Sequence, residues 1–199
     1  YPDIIVISDE IYEHINFTQQ HASMAHFEDM YDRTVTVNGV SKAFSMTGWR
    51  IGYIGAPEYI ARACNKMQGQ VTSGANCIGQ KAAVTALENP PSKIKYMIDA
   101  FKERRGLILG LLADIDGFKI NEPQGAFYVF PDISYYFGKT LRGTTINSAT
   151  DFSLFLLENA KVATVTGEAF GDPNCIRISY AASNDDITAA ISQIKEVLA

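Results

Sequence analysis

Thr34-Val35-Thr36-Val37-Asn38-Gly39-Val40-Ser41-Lys42-Ala43-Phe44-Ser45-Met46-Thr47-Gly48-Trp49-Arg50-Ile51-Gly52-Tyr53-Ile54-Gly55 is the stretch on which the fold turns. Two runs in it, Thr34–Gly39 and Ile51–Gly55, are short, rich in β-branched or aromatic residues, and bounded by turn residues, so both read as strands. Lys42 falls just beyond the first strand and Arg50 just before the second. Upstream, Asp3-Ile4-Ile5-Val6-Ile7-Ser8 reads as another strand and runs directly into Asp9-Glu10-Ile11-Tyr12. An apolar strand so close to residue 1 needs neighbours on both sides of a sheet. It is expected to be an internal strand of a protein whose first part precedes this chain, with an edge strand as the alternative.

In open α/β sheets, ligands bind beyond the carboxyl ends of parallel strands. If strands 3–8 and 34–39 are parallel neighbours, Asp9 and Lys42 meet at one such rim. An antiparallel strand at 51–55 brings Arg50 back to it. One carboxylate, one amine and one guanidinium suit a phosphorylated cofactor with a basic ring nitrogen. A desolvated lysine amine forms a Schiff base with an aldehyde. A carboxylate at the ring nitrogen keeps it protonated, which makes the ring an electron sink. An arginine grips phosphate bidentately and stays charged. Tyr12, one turn past Asp9, can place its hydroxyl against a phenolic ring oxygen. Singly, these residues read as a helix cap, a solvated lysine, a strand end and a packing tyrosine. Order and spacing are what point to a site.

Outward from this core the pattern is α/β and then α+β. Ile60, Cys64, Met67 and Val71 repeat at helical spacing after Pro57, and a second helix is expected over 76–88 before Asn89-Pro90-Pro91 breaks the chain. A long helix is predicted from Ser92 to about Ile115, with Ile94, Ile98, Phe101, Arg105, Ile108, Leu112 and Ile115 on one stripe. Strands are predicted at Phe118–Ile120, Gly125–Phe130, Val162–Val165 and Cys175–Tyr180, and helices at 149–159 and from Asn184 onward. Ile187, Ile191, Ile194 and Leu198 form the last helix's apolar stripe. The expected division is 1–91, the tail of a sheet domain, and 92–199, a smaller α+β domain.

Composition narrows the class. A net charge of −5 gives no reason to expect nucleic acid or a membrane surface as partner, and no apolar run is long enough to span a bilayer. Cys64, Cys77 and Cys175 are scattered and odd in number, which suits reduced thiols in a cytoplasmic protein. His14, His21 and His26 lack the spacing of a zinc motif, and no metal is expected.

Ser41-Lys42-Ala43-Phe44-Ser45-Met46-Thr47-Gly48-Trp49-Arg50-Ile51-Gly52-Tyr53 resembles the cofactor-lysine segment of class I aminotransferases, pyridoxal-phosphate enzymes of fold type I, and most of all the bacterial-type aspartate aminotransferase branch. The resemblance implies that Lys42 binds the aldehyde of pyridoxal 5'-phosphate and that Arg50, eight positions on, binds its phosphate. Asp9-Glu10-Ile11-Tyr12 resembles the segment that places Asp9 at the pyridinium nitrogen and Tyr12 at the ring hydroxyl. Pro123-Gln124-Gly125-Ala126-Phe127-Tyr128 is similar to the small-domain strand that faces the substrate, and Gly167-Glu168-Ala169-Phe170-Gly171 to the segment just before the carboxylate-binding strand. In Ile176-Arg177-Ile178-Ser179-Tyr180-Ala181, Arg177 matches the arginine that clamps the substrate α-carboxylate. By strand alternation it shares a face with Cys175 and Ser179. Two positions depart from the family: Thr166 stands where proline is usual, and Gly39 where a phosphate-binding serine is frequent, with Ser41 or backbone amides as substitutes.

What the resemblance implies is the C-terminal half of a fold-type-I enzyme: the end of the large, mostly parallel sheet domain plus the small α+β domain. It implies amino transfer between an amino acid, with aspartate expected, and a 2-oxo acid, with 2-oxoglutarate expected. It also implies a homodimer, and a fragment that is inactive by itself. A carbon–sulfur lyase is the first alternative, although that branch tends to carry histidine where Tyr12 stands; a sensor module of a transcription regulator is the second.

Overall fold

The structure is a computed structural model and describes residues 1, 3–18 and 21–199. The chain forms two compact units, Tyr1–Ile98 and Asp99–Ala199. In the first, three strands, β1 (Val6–Asp9), β2 (Thr34–Gly39) and β3 (Gly52–Gly55), form a sheet in that order. β2 has the predicted ends. β1 is shorter than the apolar run promised, and β2 is its only strand partner among the described residues. Helices α1 (Glu58–Val71) and α2 (Cys77–Glu88) follow. Pro57 stands at the N-cap position of α1, just before the first turn and without a side-chain cap, while the Asn76 side chain caps α2 by accepting from the Gly79 amide at 2.6 Å. The division between the units falls within α3 (Lys95–Ala113), which a 3-10 turn at Pro91–Ile94 precedes.

In the second unit Ile108 and Leu112 of α3 and the following Ile115 are buried, as their stripe requires. The arginine in that stripe has its own purpose: Arg105 Nη1 donates to the Pro123 carbonyl at 2.7 Å, anchoring the segment that leads into β4 (Tyr128–Val129). β4 is a remnant of the predicted strand 125–130. Ala126 has φ 58°, in the left-handed region, and breaks the extended run before it starts. The predicted strand at 118–120 amounts to one bridge, Lys119 with Asp132. A two-residue hairpin, β5 (Thr140–Leu141) and β6 (Thr144–Thr145), turns on Arg142 and Gly143, both at positive φ. Helix α4 (Ala149–Ala160) ends on Lys161 in the left-handed region, which displaces the next strand, β7, to Val165–Thr166.

β8 (Ile176–Ser179) pairs antiparallel with both β4 and β7. The last helix, α5 (Asn184–Leu198), is capped by Ser183 and not by Asn184, and it buries Val197 in place of Leu198 beside Ile187, Ile191 and Ile194. The three cysteines are free, Cys64 and Cys77 exposed and Cys175 buried. Burial and the Asp172 carboxylate push the Cys175 thiol up to about 11. No helix among the described residues is long and apolar enough to cross a membrane.

Candidate active site

Strand register decides where the chemistry gathers. β1 runs parallel to β2 with Asp9 opposite Val37, and β3 returns antiparallel with Gly52 opposite Gly39. The carboxyl ends of β1 and β2 and the start of β3 therefore share one rim. Residues 40–51 leave and re-enter the sheet there.

That loop is pinned from beneath. Val40 and Ile51 are buried with Ala83 of α2, and Phe44, Met46 and Ala86 pack against them. A Cβ at Gly79 would stand 2.9 Å from Ile51 Cδ1 and 2.8 Å from the Asn76 side-chain amide, so α2 starts in side-chain contact with the loop. The Asn76 side chain that caps α2 also donates to the Trp49 carbonyl at 3.4 Å. The next residue, Arg50, has φ 56° and ψ 46°. This left-handed conformation costs a residue with a Cβ on the order of 1 kcal/mol, and such local strain concentrates at functional sites. Arg50 Nη1 donates to the Thr47 carbonyl at 2.9 Å.

Lys42 and Arg50 line one cleft of about 400 Å³, together with Ser41, Thr47, Ile11 and Ile51. The lining residues carry two cations and no carboxylate. Lys42 Nζ also stands 5.7 Å from the centre of the Tyr12 ring, within cation–π range. Asp9 is at the same rim but does not line the cleft; its exposed carboxylate accepts from the Ile11 amide at 3.2 Å. The helix-cap reading of Asp9 is corrected: residues 11–14, which follow it, make a turn and not a helix.

The sequence reading passed over Glu10. Its side chain is 5% exposed and accepts from Ser8 Oγ at 3.0 Å and Ser23 Oγ at 2.8 Å, with His21 Nε2 at 2.8 Å. Burial pushes its carboxyl up, but hydrogen bonds from His21, Ser23 and Ser8 outweigh this and hold it below the ordinary value. Glu13 accepts from Asn38 Nδ2 at 2.9 Å, tying the same turn to β2. Ligand atoms of Glu10, Glu13 and His21 lie within 4.8 Å of one another, a grouping these hydrogen bonds account for. The available signal was Ser8-x-Glu10, two residues that share one face at strand spacing.

Arg177 belongs to the second unit. It sits in β8 opposite Val165, with Ile176, Ile178 and Tyr180 buried on the other face. Ser179 is exposed as alternation requires, but Cys175 is buried, its carbonyl accepting from the Gly167 amide at 2.7 Å. The Arg177 guanidinium carbon is 4.5 Å from the centre of the Tyr128 ring and 4.3 Å from that of Phe170.

Comparison with known proteins follows the same lines. Residues 1–194 match the sequence profile of the family described as aminotransferase class I and II. The chain is 50% identical to a bifunctional aspartate aminotransferase and glutamate/aspartate-prephenate aminotransferase of Petunia hybrida, with 100% of this chain and 42% of that protein covered. The aspartate aminotransferase structure from Rhizobium meliloti superposes with a TM-score of 0.94 at 40% identity, over 99% of this chain and 50% of that one. An aromatic aminotransferase from Pyrococcus horikoshii gives 0.88 at 36% identity, over 98% and 51%. The chain spans about half the length of the relatives it matches. By the family profile over residues 1–194 and this degree of likeness, this chain belongs to the class I and II aminotransferases.

Proposed function

We propose that the protein containing this chain is a pyridoxal-phosphate aminotransferase that moves an amino group from aspartate to 2-oxoglutarate. The observation that carries the reading is the cleft holding Lys42 and Arg50. A guanidinium, an ammonium and the Ser41 and Thr47 hydroxyls, with no carboxylate among them, are a donor set suited to a phosphate beside an aldehyde. When bound, the cofactor supplies an aldehyde carbon and an electron-withdrawing ring.

The chain's own residues supply the rest. Arg50 takes the phosphate and stays charged throughout. Lys42 Nζ would hold the aldehyde carbon of the cofactor, and its amine, once freed by substrate, would carry the proton from the substrate α-carbon to that cofactor carbon. Asp9 carries a negative charge to the ring nitrogen and Tyr12 a hydroxyl to the ring oxygen. Arg177 takes the substrate α-carboxylate. Residues 1–91 act as the end of the large domain and 92–199 as the small one, in a cytoplasmic homodimer. The exposed thiols of Cys64 and Cys77 suit a reducing compartment. Since the Petunia relative carries prephenate in its name, prephenate is the second acceptor to assay.

Borohydride reduction of the complete protein with pyridoxal phosphate, followed by peptide mapping, tests this. The label is expected on Lys42 and is expected to vanish in Lys42→Ala. A label on another lysine, kept in the variant, removes the assignment.

A further inference from the structure

We infer that Tyr128 and Phe170 are positioning residues that clamp the Arg177 guanidinium between two ring faces and so present its N–H edge to a single planar carboxylate. The inference rests on the reading of Arg177 as the carboxylate contact. A guanidinium carries its five N–H donors in its own plane and none on its faces. The guanidinium carbon lies over the Tyr128 ring at 4.5 Å and over the Phe170 ring at 4.3 Å, both within cation–π range. An incoming anion is then left the edge, where carboxylate and guanidinium meet through two parallel hydrogen bonds. Among the described residues no carboxylate forms an ion pair with Arg177.

Both rings are braced. Tyr128 lies opposite Ser179 in the β4–β8 pair, and its ring tilts against Phe127 at 4.7 Å, which stacks on Phe101 of α3 at 5.2 Å. Phe170 ends a 3-10 turn, Gly167–Phe170, and meets Phe130 edge-on at 6.1 Å. The turn is fastened to the start of β8 by the Gly167 amide bond to the Cys175 carbonyl. A Cβ on Gly167 would overlap the Asp172 and Cys175 carbonyls, so this approach requires glycine. The clamp is therefore set before substrate arrives, which reduces the ordering that binding demands.

The test uses the complete holoenzyme, with succinate as a non-reacting dicarboxylate followed by calorimetry and aspartate followed by kinetics. Phe170→Leu and Tyr128→Leu are each expected to weaken succinate and raise the KM for aspartate by about tenfold. Cofactor affinity and melting temperature are expected to stay with the parent. Tyr128→Phe and Phe170→Tyr keep the rings and are expected to restore binding to within about twofold. If the leucine variants bind succinate like the parent while Arg177→Ala loses it, the clamp is overturned and Arg177 keeps its role. If Arg177→Ala also binds like the parent, the carboxylate reading itself falls, and the clamp with it. Parallel loss of succinate, cofactor and melting temperature in the leucine variants overturns the clamp in favour of general packing.

Discussion

The two units differ in how far they close their own cores. Among the largest fully buried side chains only Val40 comes from the first unit; Tyr180, Phe152, Phe155, Ile108 and Leu112 are all in the second. In the first unit α1 buries none of its residues, and Ile7, Tyr59, Met67, Val71 and Ile78 are exposed. An apolar surface of that extent is one that function or assembly covers. The second unit completes a core from its own chain, while the first supplies a lysine, an arginine and a pinned loop without the layers that would enclose them. Holding a reactive rim in shape and excluding water from it are separate tasks, and the first unit performs the former.

Separating the units should break the comparison most visibly. Residues 99–199 alone are expected to melt in one cooperative transition, and residues 1–98 alone to bind a hydrophobic dye and sediment as aggregate. A monomeric, dye-silent 1–98 would abolish the contrast. Next in size are paired truncations in the intact chain, followed by denaturant titration. Phe152→Ala in the closed core should cost about 3–5 kcal/mol, and Met67→Ala on the open face no more than about 0.5 kcal/mol. Comparable losses would mean that α1 is packed in solution.

The smallest effect is in acid. Glu10 in the first unit and Asp132 in the second both titrate below their ordinary values of 4.5 and 3.8. For Asp132 the Ser134 hydroxyl is the main cause, burial opposes it, and the Ser134 amide and Lys119 add to it. A depressed carboxyl contributes stability that is fully present above its unfolded pKa and is lost as pH falls through the folded one. Trp49, the only tryptophan, lies in the first unit and reports on it. Glu10→Gln should flatten the acid limb of unfolding seen by Trp49 fluorescence below about pH 4.5, and Asp132→Asn should leave that limb alone. An unchanged limb in Glu10→Gln would mean the Ser8, His21 and Ser23 contacts contribute nothing in solution.

Sequence made the first sheet readable because its signals are local. β2 ends where its β-branched run ends, and the positions of Lys42 and Arg50 follow from strand direction alone. The second unit was less legible wherever one backbone angle overrules a propensity. Ala126 at φ 58° shortens β4, and Arg142 at φ 47° makes a hairpin turn without the asparagine or aspartate that normally marks one. The cap of α5 moved by one residue because Ser183, not Asn184, reaches the Asp186 amide, at 3.1 Å. In the site, the rim was legible and the supports were not. Glu10 meets Ser23 thirteen positions on, and Phe170 meets Arg177 only through the turn that fastens Gly167 to Cys175. Such partners are set by tertiary closure, which leaves no periodic trace.

Gly39 sets how closely β2 and β3 approach. Its φ is not in the left-handed range, so the glycine answers a need for room and not for torsion. A Cβ there would stand 2.8 Å from the Ile51 carbonyl oxygen and 3.1 Å from Gly52 Cα. Serine cannot enter by a single substitution unless β2 and β3 first part, and parting them moves Arg50. Position 39 is thus sterically locked: while the two strands keep this spacing, no side chain can be added there without displacing backbone.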